Sequence, residues 1–547
     1  MRRELTLSVM VLACASGAHA QLGRTQDWNT FGGDIGRTGM ERSDPFLNKD
    51  SVAKDFGLLY KVKLDENGKG QRAVTPPVVI SILISYRGFK ELAFSASTNN
   101  MVSALNVDAG KIFWQKPLIY SSEIPQIKDP TQPCSGGLVP GVSLVVSPPF
   151  AGFGRGGRGA AAAPAPRGPA PVPVAPGRGL GGGGFGASRP VLVLASDGRL
   201  HRINSANGDD QGGPPIRFLP PNARPSMLNM ADNVIYTSTN QGCGAVDNGI
   251  WAIDFAPESA VVTSFETRGG GVWGAGGVAI GSDQTIFAQL GDGPLDPEKK
   301  RFSNTLVALA PRTLALKQYF TPPGLPTTFK NVGMNAATPV VFAWKGRNLV
   351  ASTGKDGRVY LLDADLVGGA DHKTFLSRTN VLSDGATPDR GIYGLASWED
   401  EAANRWVLAS VWGPTGVAGS PNGAIVAFKL DDSGGQPELK QAWASRDLNA
   451  PVPPVIAGGV VFALGAGEYT RTVKDGYNGI ALVEEKPKPT ARATLYAFDG
   501  ATGKEIWSSK QQITVPASLT GLTAANGRIY FGGTDSTFYC FGIPMEH

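Results

Sequence analysis

The chain has 547 residues, of which 41% are hydrophobic, 72 are Gly and 41 are Pro. That is enough apolar material for a large core, the composition is rich in turn formers, and no strongly amphipathic helical stretch appears, which points to the all-β class. A formal net charge of +5 is small for this length and excludes the dense basic footprint of a nucleic-acid binder.

Residues 1–20 read as an export signal. Arg2 and Arg3 precede the apolar run Leu5 to Cys14, and Ala18-His19-Ala20 has the small-x-small form of a cleavage site. Cys14 after Val11-Leu12-Ala13 resembles a lipoprotein box, but Leu12 is unusual at its position, so the reading taken is simple secretion to the periplasm or beyond. No later run approaches the ~20 apolar residues of a membrane helix.

The mature chain opens with Asp27-Trp28-Asn29-Thr30-Phe31-Gly32-Gly33-Asp34, followed by a lone strand from Leu58 to Leu64. Four strands come next, Thr75 to Ile80, Glu91 to Thr98, Met101 to Val107 and Ile112 to Leu118. This unit then recurs. Its third strand appears as VSALN from Val102, LHRIN from Leu200, IWAID from Ile250, LVALA from Leu306, VYLLD from Val359, IVAFK from Ile425, LYAFD from Leu495 and FYCFG from Phe538. The last unit, Leu519 to Phe541, lacks a fourth strand, and Leu58 to Leu64 supplies it, which closes a ring and removes two exposed edges. Units of roughly 45–70 residues with four strands each match propeller blades. The fold expected over residues 21–547 is a single eight-bladed β-propeller of four-stranded antiparallel blades, with seven blades as the fallback count.

One stretch departs from the plan. Residues 151–187 are nearly all Gly, Ala, Pro and Arg and cannot bury a core, so they read as a disordered insertion between the first two strands of blade 2. Such an insertion is cheap, since each doubling of loop length costs only about 0.6 kcal/mol.

Several motif matches fail on context. GFGRGG from Gly152 lacks a strand-turn-helix setting, Asp65 to Gly70 puts Lys69 where a calcium loop needs oxygen, the histidines are scattered, and there is no CxxCH. No nucleotide, zinc or haem is therefore expected. The specific signal is A-x-D-x-x-T-G-x-x-x-W, complete from Ala497 to Trp507 and looser from Ala104 to Trp114. Its Gly allows a positive φ, its Asp and Thr bond the turn backbone, and its indole offers a flat surface to the next blade.

With this motif and the opening DWNTFGGDIGRTG, the chain resembles the pyrroloquinoline quinone (PQQ) repeat propellers over essentially its whole mature length. That group includes quinoprotein dehydrogenases, which bind PQQ and Ca²⁺, and non-enzymatic scaffolds such as the lipoprotein of the outer-membrane barrel assembly machine. Fold alone does not choose between them.

Three places are similar to the dehydrogenase site. Gly270-Gly271-Val272-Trp273-Gly274 resembles the segment whose Trp floors the quinone, Leu290-Gly291-Asp292-Gly293-Pro294 the calcium-binding turn, and Lys355-Asp356-Gly357 the turn whose Lys contacts the quinone. The resemblance thus implies Trp273, Asp292 and Lys355 for PQQ and Asp292 for calcium, with Asp247 the nearest candidate second carboxylate for the metal. In a four-stranded meander, second-to-third turns and blade-to-blade loops share a face. Trp273, Asp292, Lys355, Asp247, Cys134, Cys243 and the long loop Gly465 to Arg492, a candidate lid, therefore lie together. Cys134 and Cys243 are expected to pair, with Cys540 a small buried residue.

The departures are as informative. The loop Thr321 to Pro339, where the dehydrogenases carry a proton-abstracting aspartate, holds no Asp or Glu, only Asn331 and Asn335, and no adjacent cysteine pair exists. An amide cannot act as a general base. The expected function is a binding or scaffold propeller with a protein or small-molecule partner on the Trp273 face. The alternative is a PQQ- and calcium-dependent alcohol or sugar dehydrogenase.

Overall fold

The computed structural model describes residues 27–66, 74–85, 88–118, 141–144, 190–256, 259–291, 293–324, 336–383, 390–415, 419–476, 480–488 and 490–544. The expected leader, Cys14, the 151–187 insertion, Cys134 and Asp292 lie outside these residues.

The protein is an eight-bladed β-propeller of four-stranded antiparallel blades. Blades 1 to 7 span residues 78–117, 141–217, 229–266, 279–320, 340–378, 391–444 and 455–508; blade 8 combines 523–542 with the N-terminal strand Gly57–Lys63. That strand lies antiparallel to Thr537–Gly542, with Tyr60 opposite Cys540 and Val62 opposite Phe538. Each of the eight patterned segments is the third strand of its blade. The first strand of blade 1 runs Val78–Ser85, three residues later than expected at its start, because Pro76 and Pro77 have no N–H to donate to a ladder. Cys540 is a fully buried free thiol. Among the described residues no helix is long and apolar enough to cross a membrane.

Tryptophans join successive blades. The Trp114 indole of blade 1 donates to the Ser205 carbonyl of blade 2 at 3.0 Å, and Trp443 of blade 6 donates to Gly500 O of blade 7 at 2.9 Å. Asp499 Oδ1 accepts from Ala501 N and Thr502 N, which shapes the receiving turn. Gly503 sits there at φ +72°, and a Cβ on it would come within 2.6 Å of the Trp443 ring. Close approach and backbone conformation both demand glycine. Trp443→Phe keeps the ring surface but orphans the Gly500 carbonyl. It is expected to cost about 1 kcal/mol, read as a lower urea midpoint at unchanged m-value.

The centre of the ring is filled by residues 28–41. Trp28 pairs with Val79 of blade 1; Ile35 O accepts from Ile280 N of blade 4, Gly36 O from Val341 N of blade 5, Thr38 O from Ser397 N of blade 6 and Gly39 O from Ile456 N of blade 7. Met40–Glu41 then pairs in parallel with Val455–Ala457. The glycines serve this route, since a Cβ on Gly36 would lie 2.4 Å from the Val341 carbonyl oxygen. Arg37, 1% exposed, is the hub. Its guanidinium donates to Thr30 Oγ1 (2.6 Å), Phe31 O (2.7 Å), Val278 O (3.0 Å) and Leu228 O (3.2 Å). Burial pulls it down to about 9, still protonated at neutral pH.

Glu41 ends this segment at 5% exposure, and burial pushes its carboxyl up to about 7 against the pull of hydrogen bonds from Ser43. The folded state therefore holds the proton more tightly than the unfolded chain between about 4.5 and 7. Across that window stability falls as pH rises. Glu41→Gln keeps an acceptor for Ser43 and removes the charge. Relative to wild type it is expected to gain stability from pH 5 to pH 8, by about 3 kcal/mol at most, in urea titrations at the two pH values.

Candidate functional site

Trp273 stands in the loop between Val261–Glu266 of blade 3 and Ala279–Ile280 of blade 4. Three blades hold that loop. Asn240 Nδ2 of blade 3 donates to Val272 O at 2.8 Å, Ser303 Oγ of blade 4 accepts from Gly270 N at 2.6 Å, and Thr338 Oγ1 at the entry to blade 5 accepts from Gly276 N at 3.0 Å. The indole is 9% exposed and packs against Gly291, where a Cβ would fall 2.2 Å from the ring.

Trp273 lines a central cavity together with Arg224, which precedes blade 3 and pairs with its Asn240, Gln241 of blade 3, Tyr393 and Trp412 of blade 6, and Leu519 at the entry to blade 8. Lys355 is 7% exposed in its turn of blade 5 and is not among the lining residues. Asp247 is solvent-exposed and also stands outside the lining. Asp292, Asn331 and Asn335 lie outside the described residues. Cys243 is buried and disulfide-bonded; its expected partner Cys134 is likewise outside them.

The long loop of blade 7 is a β-hairpin, Tyr469–Asp475 paired with Ala481–Pro487, and it lies across the cavity. Its period-two alternation sends Tyr469, Arg471 and Val473 inward and leaves Thr470, Thr472 and Lys474 exposed. It is tied down at both sides of the ring. The Tyr469 hydroxyl donates to Ala517 O at 2.6 Å, and Val483 N donates to Gln241 Oε1 at 3.3 Å, on the blade opposite its own.

Arg471 descends from this hairpin onto an aromatic pair. Its guanidinium carbon is 4.1 Å from the Tyr393 ring centre and 4.2 Å from that of Trp412, and the two rings are themselves 4.3 Å apart. The Trp412 indole is fixed by a 2.8 Å bond to Pro451 O. Glu485, directly opposite Arg471 in the hairpin ladder, pairs with the guanidinium. Burial works against the arginine's charge, but Glu485 and Tyr393 beside it outweigh burial and hold its pKa above the ordinary value.

The cavity has a volume of about 40 Å³. That is room for roughly three waters, far below the ~300 Å³ at which small-molecule sites begin. Among the described residues, this cavity with the hairpin over it is smaller than a tricyclic quinone. Among the described residues no three His, Cys, Asp or Glu side chains group to hold a metal. Tyr393, Trp412, Gln241 and Arg471 escaped the sequence reading. The one available signal was the alternation Tyr469-Arg471-Val473 facing Val483-Glu485, which marks a hairpin with one buried face.

Neither a protein-family model nor a curated protein sequence matches the chain. Solved structures do. Quinohemoprotein alcohol dehydrogenase from Comamonas testosteroni aligns with a TM-score of 0.54 at 16% identity, over 96% of this chain and 83% of its own. The chain shares its fold with that enzyme. Quinohemoprotein alcohol dehydrogenase ADHIIG from Pseudomonas putida HK5 gives 0.55 at 13% identity over 95% and 82%, and a europium-containing methanol dehydrogenase gives 0.54 at 14% over 94% and 89%.

Proposed function

We propose that this protein is an exported PQQ-like repeat propeller that acts as a binding or scaffold protein and not as a dehydrogenase. The observation that carries this reading is the Arg471–Glu485 pair lying over Tyr393 and Trp412 at the centre of the ring, which leaves about 40 Å³ beside Trp273. A second observation agrees with it. The carboxylate lining the cavity, Glu485, is already paired with a guanidinium, which leaves it a poor proton acceptor. The partner face is the one bearing Trp273 and the hairpin, and a protein is the partner that suits a closed surface.

The dehydrogenase reading draws its support from the placement of Trp273 in the central cavity and from the likeness of fold to quinohemoprotein enzymes. It requires the hairpin to swing away. Dye reduction with an alcohol or sugar after incubation with PQQ and Ca²⁺ separates the two. No turnover above a PQQ-free control is expected, and calcium-dependent turnover would replace the scaffold reading with the enzymatic one.

A further inference from the structure

A guanidinium taken this far from water costs several kcal/mol unless its surroundings replace the lost hydration. The side chains of Arg471 and Glu485 are 5% and 10% exposed. Two ring faces near 4 Å and one carboxylate do the replacing, and the rings suit a flat, weakly hydrated cation better than an ammonium. Nε and Nη1 of Arg471 make no hydrogen bond among the described residues, and Tyr393, Trp412 and Glu485 hold the group. The hairpin is also held by other contacts. Its outer face carries Lys474–Glu484 at 2.8 Å and Lys486–Glu484 at 2.9 Å, and its ends are fastened by Tyr469 and Val483.

We infer that Tyr393, Trp412 and Glu485 form a guanidinium-binding site, filled in cis by Arg471, whose occupancy latches the hairpin over the central channel. The ligand class is an alkylguanidinium, and on the reading of this face as a protein-binding one, its macromolecular form is an arginine side chain of the partner. Such an arginine would enter as Arg471 swings out, exchanging one planar cation for another without exposing Glu485 unpaired.

Full-length Arg471→Ala empties the slot and leaves both rings and Glu485 in place. Millimolar methylguanidinium is expected to raise the Tm of this variant saturably, methylammonium to raise it less, and neither to raise that of wild type. Adding Glu485→Gln should abolish the response. Equal shifts in R471A and wild type, or no shift in R471A, would overturn the site. Should R471A not fold, hydrogen exchange of wild type gives the second readout. Methylguanidinium is expected to speed exchange of hairpin amides 470–475 several-fold while those of strand Gly423–Asp431 stay unchanged; an unchanged hairpin would overturn the latch. Neither measurement uses PQQ, so its failure is distinguishable from failure of the scaffold reading.

Discussion

Arg37→Met is expected to lower stability by about 4 kcal/mol or more, a large share of the 5–15 kcal/mol typical of a folded domain. Methionine fills most of the volume but leaves Phe31 O, Val278 O and Leu228 O, together with Thr30 Oγ1, facing a side chain that donates nothing. Leu228 O keeps Thr30 Oγ1 and Val278 O keeps Asn229 Nδ2 as donors, so the cost is that of the lost charge-assisted hydrogen bonds, ~1.5–3 kcal/mol each. The acceptors belong to the N-terminal segment, blade 3 and the entry to blade 4, so the loss loosens the ring at its axis. Arg37→Lys should recover little, because one ammonium cannot reach donors' positions spread over a planar fork. The urea midpoint is the measurement, and one within error of wild type for R37M would remove the hub role.

The second large effect lies at the ring closure. Arg528 of blade 8 donates to Glu91 Oε2 of blade 1 at 2.7 Å and to Asp108 Oδ1 at 2.9 Å, and Asn526 Nδ2 reaches Glu91 Oε1 at 2.8 Å. Arg528 and Glu91 are both buried. Arg528→Met is expected to cost ~3–5 kcal/mol, since it strands a buried carboxylate whose pKa burial has already pushed up to about 7. The double variant Arg528→Met/Glu91→Leu should regain part of that loss, because replacing both partners of the ion pair by apolar groups is close to neutral while Asn526 Nδ2 loses its acceptor. A double variant no more stable than the single one would mean that the cost comes from lost packing and not from the stranded charge.

The parts of this fold legible in the sequence are those encoded within about a dozen residues. The LYAFD pattern located the third strand of every blade, and the missing fourth strand at Phe541 located the closure at Leu58 to Leu64, because strand pattern and turn chemistry are local properties. The route of residues 28–41 was not legible. Its meaning lies in bonds such as Thr30 to Leu228 and Ile280 to Ile35, across separations that leave no periodic mark. The centre was legible in half. Trp273 was found by motif, and the loop Gly465 to Arg492 was placed on its face by counting strands. Arg471 was missed, because an arginine in a polar strand reads as solvated until its register against Glu485 and its reach to blade 6 are known.

The closed centre makes one demand that bears directly on function. Equilibrium dialysis of the full-length protein against PQQ in calcium-containing buffer, with bound quinone read by its absorbance, measures whether the slot beside Trp273 is open to a tricyclic ligand. The account predicts no saturable binding, because the Arg471 hairpin leaves about 40 Å³ there. One PQQ bound per chain, lost on chelation of calcium, would contradict it.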